Sequence, residues 1–232
     1  KDFYQGEIAE KIVRNANAGG SLISLDDLAS YSAITHDAVS MPYADATVFA
    51  APGLTAGPTM FDVLSRIDGK ISFENGSPCA DAYEHYAAAL KAAYETRLAT
   101  MGDASDARDP ACTTHLTAID GDGNMVTLTQ TLLSAFGSKV VLPDTGILMN
   151  NGIMWFDTRP GGPNSLAPGK RPLCNMCPSI VRRPNGFNFA IGASGGRRIM
   201  PAVLQNISLM VDGGLSLSDA IHHPRIDVSG GE

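Results

Sequence analysis

The sequence lacks the features that mark several special classes of protein. No hydrophobic run in its 232 residues approaches the length of a transmembrane helix, which excludes a membrane span in this segment. Basic residues are not in excess, because the formal net charge is −7, and this argues against a nucleic-acid partner. There is no internal repeat and no low-complexity tract. What remains is an ordinary globular balance, with 44% hydrophobic and 18% charged residues, which predicts one compact domain.

Cysteine is scarce, and its spacing does not match a small disulfide scaffold. Cys174 and Cys177 form a C-x-x-C pair, but the two further ligands that a zinc site needs are missing. Segment 119–125, IDGDGNM, begins like a calcium loop but lacks the glutamate at its twelfth position. We therefore predict partly buried thiols, a hairpin turn at 119–125, and no metal or cofactor. The chain begins with Lys1, so we interpret it as a processed or trimmed piece.

The order of the predicted elements indicates a layered α+β fold. Helical patterns come first, at 2–18, 24–31, 58–67 and 79–103. Two hairpins with alternating apolar and polar residues follow, at 113–133 and 179–194, and further strands are predicted at 46–52 and 145–151. A long helix and a short one, capped by Ser216 or Ser218, end the chain. Helices, then antiparallel strands, then helices argue against alternating βαβ units.

Segment 192–196, GASGG, fits the G-x-S-x-G motif of serine hydrolases and lies between a predicted strand and a predicted helix. In that reading Ser194 is the nucleophile. The motif needs an acid and then a histidine downstream, and only His222 and His223 follow it. The same glycines at a strand-to-helix turn can instead expose backbone N–H groups, which are suited to stabilising an oxyanion.

Segment 111–116, ACTTHL, offers a different nucleophile. A threonine hydroxyl attacks poorly at neutral pH unless a base accepts its proton, and the α-amine of an N-terminal threonine is such a base. For Thr113 this requires cleavage of the preceding bond, and the polar connector 104–112 is a plausible place for it. His115 shares a strand face with Thr113, because side chains alternate with a period of two. The competing reading is that Thr113 and Thr114 are β-branched residues favoured in a strand.

Segment 112–138 reads CTTHLTAIDGDGNMVTLTQTLLSAFGS and resembles the signature of the gamma-glutamyltranspeptidase family of N-terminal-nucleophile hydrolases. There, a T-T-H start is followed by a D-x-D-G-N turn, a T-x-T strand and an F-G pair. Further segments, at 145–151, 169–181 and 192–199, also match the family and follow in the same order along the chain. Upstream, GGSLISLDDLASYSA and APGLTAGPTM resemble the C-terminal half of the family's large subunit. The resemblance covers nearly the whole chain.

The resemblance implies an αββα four-layer sandwich made from two pieces. Residues 1–112 would be the C-terminal half of the large subunit, and residues 113–232 the small subunit, truncated at its end, together one compact domain. Autocatalytic cleavage between Cys112 and Thr113 would produce the two pieces. The implied partners are a small-molecule amide substrate and the pieces themselves, as an αβ heterodimer or an (αβ)2 assembly.

The resemblance also assigns roles to individual residues. Thr113 would be the nucleophile, Thr131 would hydrogen-bond to its hydroxyl and orient it, and the backbone N–H groups of Gly195 and Gly196 would stabilise the oxyanion. Residues that would support the site or its processing are Cys112, Thr129 and His115. A serine hydrolase using Ser194 and a catalytically inactive binding relative are the alternatives of other classes.

The family pattern is broken where gamma-glutamyl substrates are held. Leu133 stands where an asparagine is usual, Gly152 replaces a polar side chain, and Trp155 replaces an acid. A site that has lost its acid also loses its preference for an ammonium group. The predicted substrate is therefore a small amide such as oxamate, with a true gamma-glutamyltransferase or glutathione hydrolase as the alternative. Candidate substrate-binding residues are Asn151, Trp155, Asn175 and Arg197, with Arg159, Arg171 and Arg198 as further cations for a short acidic amide.

Overall fold

The computed structural model describes residues 1–101, 111–184 and 186–228. Its α-helices are α1 Asp2–Gln5, α2 Glu7–Ala18, α3 Leu25–Ser30, α4 Gly57–Ile67, α5 Ala80–Thr100, α6 Ile199–Val211 and α7 Leu217–His222. Its strands are β1 Val39–Tyr43, β2 Ala46–Ala50, β3 Phe73–Glu74, β4 Ser77–Pro78, β5 Ala111–Ile119, β6 Met125–Ser134, β7 Ser179–Arg182 and β8 Phe189–Ile191. Two short 3-10 helices span Gly152–Trp155 and Gly196–Arg198. No helix among these residues is both long and apolar enough to cross a membrane.

The main sheet joins the two halves of the chain. Its strand order is β1-β2-β7-β8, and all neighbours are antiparallel. The central pair is formed by β2 from the first half and β7 from the second, with Val48 opposite Val181. Strands β5 and β6 form a separate two-stranded ribbon, which carries the candidate nucleophile.

The hydrophobic core lies between the helices and one face of the main sheet. Strand β2 alternates, with Ala46, Val48 and Ala50 buried on the core side. Helix α6 is buried at every position except Ala202, which is expected of a helix that is covered on all sides. Side chains of α4, α5 and α6 belong to the same buried cluster as those of the sheet.

The opposite face of the main sheet faces the β5–β6 ribbon across a cleft. Phe49 of β2 and Ile180 of β7 line a cleft of about 270 Å³ together with Thr127 of β6. The layer order is therefore helices, main sheet, ribbon, and the α+β prediction is confirmed. The outer face of the ribbon is open in the described part of the chain, where Leu116 and Val126 are 47% and 59% exposed.

The hairpin predicted at 113–133 is confirmed as β5 and β6. Its turn is held by Asp120, whose carboxylate accepts hydrogen bonds from the backbone N–H groups of Asp122 and Asn124 and from the Asn124 side chain. These bonds, the Asn124 side chain first, lower the pKa of Asp120. The hairpin at 179–194 is confirmed as β7 and β8, while Asn185 at its tip lies outside the described residues, as does most of the connector 104–112.

Two predicted elements are wrong. Residues 145–151 do not form a strand, because Gly146 turns the chain back and only Leu148 pairs in a bridge, with Val141. The helix predicted at 2–18 is broken at Gly6, where the Asp2 carboxylate accepts a hydrogen bond from the Glu7 N–H and so caps the start of α2.

The C-x-x-C pair lies in the loop that leads into β7. Cys174 and Cys177 are both free thiols with buried side chains. Burial raises the pKa of the Cys177 thiol to about 12, so it stays protonated and unreactive at neutral pH.

Candidate active site

The ribbon brings a row of hydroxyl and imidazole groups onto its inner face. In the β5–β6 register Thr113 is opposite Thr131, and His115 is opposite Thr129. The Thr113 hydroxyl donates a hydrogen bond to Thr131 Oγ1 over 3.1 Å. β-Branched threonines favour the extended backbone, and the period of two places these four side chains on one face. The predicted nucleophile and its predicted orienting partner are thus adjacent.

Thr131 is held from a second direction by the backbone. The N–H of Leu133 donates to Thr131 Oγ1 over 2.9 Å. The same oxygen therefore accepts hydrogen bonds from Thr113 and from Leu133. Two donors at one hydroxyl oxygen restrict the rotation of the Thr131 side chain.

His115 lies between two threonine hydroxyls of β6. Its Nδ1 is 2.9 Å from Thr129 Oγ1, and its Nε2 is 3.3 Å from Thr127 Oγ1. Partial burial lowers the pKa of His115, so the imidazole is neutral at neutral pH and can donate at one nitrogen and accept at the other. His115 thus links Thr129 and Thr127 of β6, two residues along β5 from Thr113.

Gly192 makes room for this imidazole. A Cβ atom at Gly192 would overlap the Cε1, Nδ1 and Nε2 atoms of His115. Glycine therefore lets the end of β8 approach the ribbon closely, and Thr127 Oγ1 completes the contact by donating to the Ile191 carbonyl over 3.4 Å. Sequence reasoning treated Gly192 only as part of GASGG and missed this role.

We expect Gly192→Ala to destabilise the protein by about 2 kcal/mol, because the added methyl group displaces the His115 ring. Chemical denaturation measures this change. The double variant Gly192→Ala/His115→Ala removes the overlap and should regain stability relative to Gly192→Ala alone. Equal stability of Gly192→Ala and the wild type would show that the ring moves aside without cost.

The double glycine forms a turn next to β5 that only glycine adopts readily. Gly195 and Gly196 have φ angles of 133° and 59°, which side-chain-bearing residues rarely adopt. The 3-10 helix that begins at Gly196 packs against β5. Consecutive N–H groups in such a turn form a concave donor site for a negative oxygen. The oxyanion role of the two glycines stays a prediction.

Ser194 lacks the support that a serine nucleophile needs. It is exposed, and the histidines downstream of it bond elsewhere. His222 Nδ1 contacts the Ser218 carbonyl, and His223 Nδ1 contacts the Pro224 carbonyl. The structure therefore brings neither ring to Ser194 as a base, which disfavours the serine-hydrolase alternative.

Asn151 lies beside the end of β6, and Trp155 follows it in the next turn of the chain. The Asn151 side chain bonds twice to Ser134, through Oδ1 to the backbone N–H at 3.0 Å and through Nδ2 to the hydroxyl at 2.8 Å. Trp155 is half-buried at the end of a 3-10 helix, and its carbonyl accepts a hydrogen bond from Asn164. Asn151 thus uses its amide for an internal contact.

Asn175 lies on a loop that a buried arginine holds in place. Arg97, at the end of α5, is only 2% exposed. It donates to the carbonyls of Thr55 and Cys174, over 3.0 and 2.7 Å, and to the Thr59 hydroxyl. Sequence reasoning missed Arg97, although it lies four residues after Ala93 on the buried face of α5 and this spacing was a usable signal.

The candidate cations for an acidic substrate differ in their surroundings. Arg159 pairs with Asp157, and Arg198 pairs with Asp227. The Arg171 guanidinium lies over the Tyr31 ring and donates a hydrogen bond to the Ser32 carbonyl. Arg197 directly follows Gly196, and its backbone carbonyl accepts a hydrogen bond from the Tyr94 hydroxyl. Among these cations, Arg197 is the closest in sequence to the Gly195–Gly196 turn.

Comparisons with known proteins agree with this arrangement. The chain is 30% identical over 276 residues to a glutathione hydrolase proenzyme of Escherichia coli K12, covering 97% of this chain and 47% of that protein. It is 29% identical over 264 residues to the acylase ACY 1 proenzyme of Pseudomonas sp. strain SE83, covering 99% and 47%. The chain spans about half the length of these relatives.

A solved structure supports the fold. The crystal structure of cephalosporin acylase from Bacillus halodurans matches with a TM-score of 0.85 and 25% identity, over 97% of this chain and 46% of that one. This likeness confirms the predicted fold of the N-terminal-nucleophile hydrolase type. The family model for gamma-glutamyltranspeptidase matches residues 1–112 and 104–229. The chain therefore belongs to the gamma-glutamyltranspeptidase family.

Proposed function

We propose that the protein is a threonine amidohydrolase that activates itself by cutting the bond between Cys112 and Thr113. The observation that carries this proposal is the hydrogen bond from the Thr113 hydroxyl to Thr131, on a strand packed against the 3-10 helix that begins at Gly196. A positioned hydroxyl would supply the nucleophile, and the N–H groups of the two glycines would supply the site for the oxyanion.

The ribbon is irregular at the bond to be cut. Ala111 pairs with Ser134 and Thr113 with Thr131, so two residues of β6 stand opposite the single Cys112. Such a bulge breaks the regular ladder and leaves backbone groups outside it. In self-cleavage Thr113 Oγ1 attacks the Cys112 carbonyl carbon, and the peptide nitrogen leaves as the new α-amine. Water then hydrolyses the ester, which yields a carboxylate on Cys112 and restores the Thr113 hydroxyl.

Turnover of a substrate follows the same course. The free α-amine of Thr113, with an ordinary pKa near 7.7–8.0, accepts the hydroxyl proton while Oγ1 attacks the amide carbonyl. The N–H groups of Gly195 and Gly196 stabilise the oxyanion. The amine departs with the proton, and the acyl group passes from Thr113 to water or to another amine.

The two pieces, 1–112 and 113–232, stay together as one αβ unit after cleavage. They share the central strand pair of the main sheet, which does not involve the cut bond. Arg97 of the first piece binds the Cys174 carbonyl of the second, and Tyr86 shares a buried 2.7 Å hydrogen bond with Ser208. Separating the pieces would expose the common core, at a cost of about 25 cal/mol for each Å² of apolar surface.

The proposed substrate is a small amide whose acyl group carries no α-amino-acid head. Leu133 and Trp155 supply no carboxylate for an ammonium group, and Gly152 supplies no side chain at all. Oxamate is the first compound to test, with Arg197 as the candidate cation for its carboxylate. The acylase relative and the cephalosporin acylase structure favour a second candidate, an acylated β-lactam.

The test uses the full-length protein and two measurements. Mass spectrometry should show two fragments, one of them beginning at Thr113. Release of ammonia or amine should then be compared for oxamate, an acylated β-lactam and a gamma-glutamyl anilide. Turnover of the gamma-glutamyl compound alone would contradict the proposed substrate and indicate a glutathione hydrolase. A single uncut chain without turnover would indicate an inactive binding relative.

A further inference from the structure

We propose that Leu133 is a positioning residue for the catalytic threonines and acts through its backbone conformation, with Asn151 as the residue that imposes it. This inference rests on the proposed function, since it concerns the same nucleophile. It assigns to Asn151 an internal role in place of substrate binding, and it gives Leu133 a role that its apolar side chain alone does not suggest.

The backbone of Leu133 is left-handed, with a φ angle of 76°. Few residues other than glycine, asparagine and aspartate adopt this conformation readily. Leu133 and Leu132 are the two residues of β6 that stand opposite Cys112 in the bulge. In bulges of this kind a left-handed residue, usually glycine, turns the strand. Leucine occupies a position that favours glycine, which is typical of strain at a functional site.

Asn151 holds the chain on both sides of Leu133. Its backbone N–H donates to the Leu132 carbonyl over 3.1 Å. Its side chain accepts from the Ser134 N–H and donates to the Ser134 hydroxyl. With both neighbours fixed by one residue, the peptide groups around Leu133 cannot rotate into the extended form without breaking these bonds.

The Leu133 N–H lies in the same peptide plane as the Leu132 carbonyl, which Asn151 holds, and the left-handed φ of Leu133 turns the chain that follows so that Asn151 also reaches Ser134. With that peptide plane fixed, the Leu133 N–H reaches Thr131 Oγ1 over 2.9 Å. Thr131 therefore keeps one rotamer and presents its oxygen to the Thr113 hydroxyl. In the uncut chain the Thr113 hydroxyl donates to Thr131, and the lone pairs of its Oγ1 remain to face a carbonyl carbon. After cleavage the α-amine accepts that proton. Orientation of this sort contributes to the rate of the chemical step.

A series of substitutions at Leu133 separates backbone from side chain. Leu133→Gly and Leu133→Asn retain the left-handed conformation and should keep both kcat and the rate of self-cleavage within about threefold of the wild type. Leu133→Val, whose β-branched side chain disfavours that conformation, should lower both rates by about tenfold or more, with a smaller change in KM. Asn151→Ala should act like Leu133→Val. Leu132→Val, next to Leu133 in the same bulge, is the matched control and should be nearly neutral.

The outcomes are distinct. If Leu133→Gly is as impaired as Leu133→Val, or if rates follow side-chain size, the side chain acts and the inference is wrong. If Asn151→Ala raises KM and leaves kcat unchanged, Asn151 binds substrate and the proposed role is wrong. A wild-type protein that stays uncut and hydrolyses no amide contradicts the proposed function itself. If the wild type is active but the rates of the Leu133 and Asn151 variants do not follow the expected ranking, only this inference is contradicted.

Discussion

Thr113→Ala should leave the protein as one uncut chain and lower amide hydrolysis on the order of 10⁴-fold or more. The substitution removes the hydroxyl that donates to Thr131, and with it the only atom of residue 113 that can attack the Cys112 carbonyl or a substrate. Intact-mass analysis measures the cleavage, and product release from the best amide of the substrate screen measures the activity. Both should be lost together, because one oxygen performs both attacks.

Thr114→Ala is the matched control for this experiment. Thr114 is the next residue on β5, but its side chain is exposed on the opposite face of the ribbon. The Thr114→Ala variant should cleave itself and hydrolyse amides like the wild type. If Thr113→Ala still cleaves or retains activity, the nucleophile lies elsewhere. Labelling by a fluorophosphonate probe that Ser194→Ala abolishes would then identify the serine-hydrolase alternative.

Arg97→Met should destabilise the protein by about 3 kcal/mol. Methionine keeps most of the aliphatic stem but donates no hydrogen bond to Thr55, Thr59 or Cys174, and each lost bond from a charged donor costs about 1 kcal/mol or more. The loop with Asn175 should loosen as well, which raises KM. Urea denaturation in the uncut Thr113→Ala background measures stability without the complication of two fragments, and the cleaved protein provides KM.

Arg66→Met provides the comparison for Arg97→Met. Arg66 is exposed on α4 and forms an ion pair with Asp62 one turn earlier. Exposed pairs of this kind contribute about 0.5 kcal/mol or less. If Arg97→Met costs no more than Arg66→Met, the buried guanidinium does not hold the two loops and the KM of the substrate should also be unaffected.

The sequence pattern predicted the structure correctly where residues close together in the sequence determine it. The ribbon follows from alternation around the Asp120 turn, and the same alternation places Thr113 and His115 on one face. Ser24 forms the predicted cap of α3, including a reciprocal bond with Asp27, since a cap involves only residues three apart. Ser216 caps α7 in the same way.

The sequence pattern gave the wrong element where a particular hydrogen bond or turn overrides the local propensity. The apolar run at 145–151 resembles a strand, yet Gly146 turns it back on Val141 and it joins no sheet. The apolar period of the first helix continues through Gly6, but the Asp2 carboxylate bonds to the Glu7 N–H and starts a new helix there. In both cases a single hydrogen-bonded turn outweighs a weak propensity.

The sequence by itself determined the family, the fold class and the identity of the candidate nucleophile, because these depend on motifs and periods within one segment. Only the tertiary structure decided how that nucleophile is held. Contacts between residues 17 or more positions apart decide the left-handed conformation of Leu133, through the bonds of Asn151 to its neighbours, and the burial of Arg97. A backbone angle and a through-space hydrogen bond leave no period in the sequence, since they arise only when packing brings separate segments together.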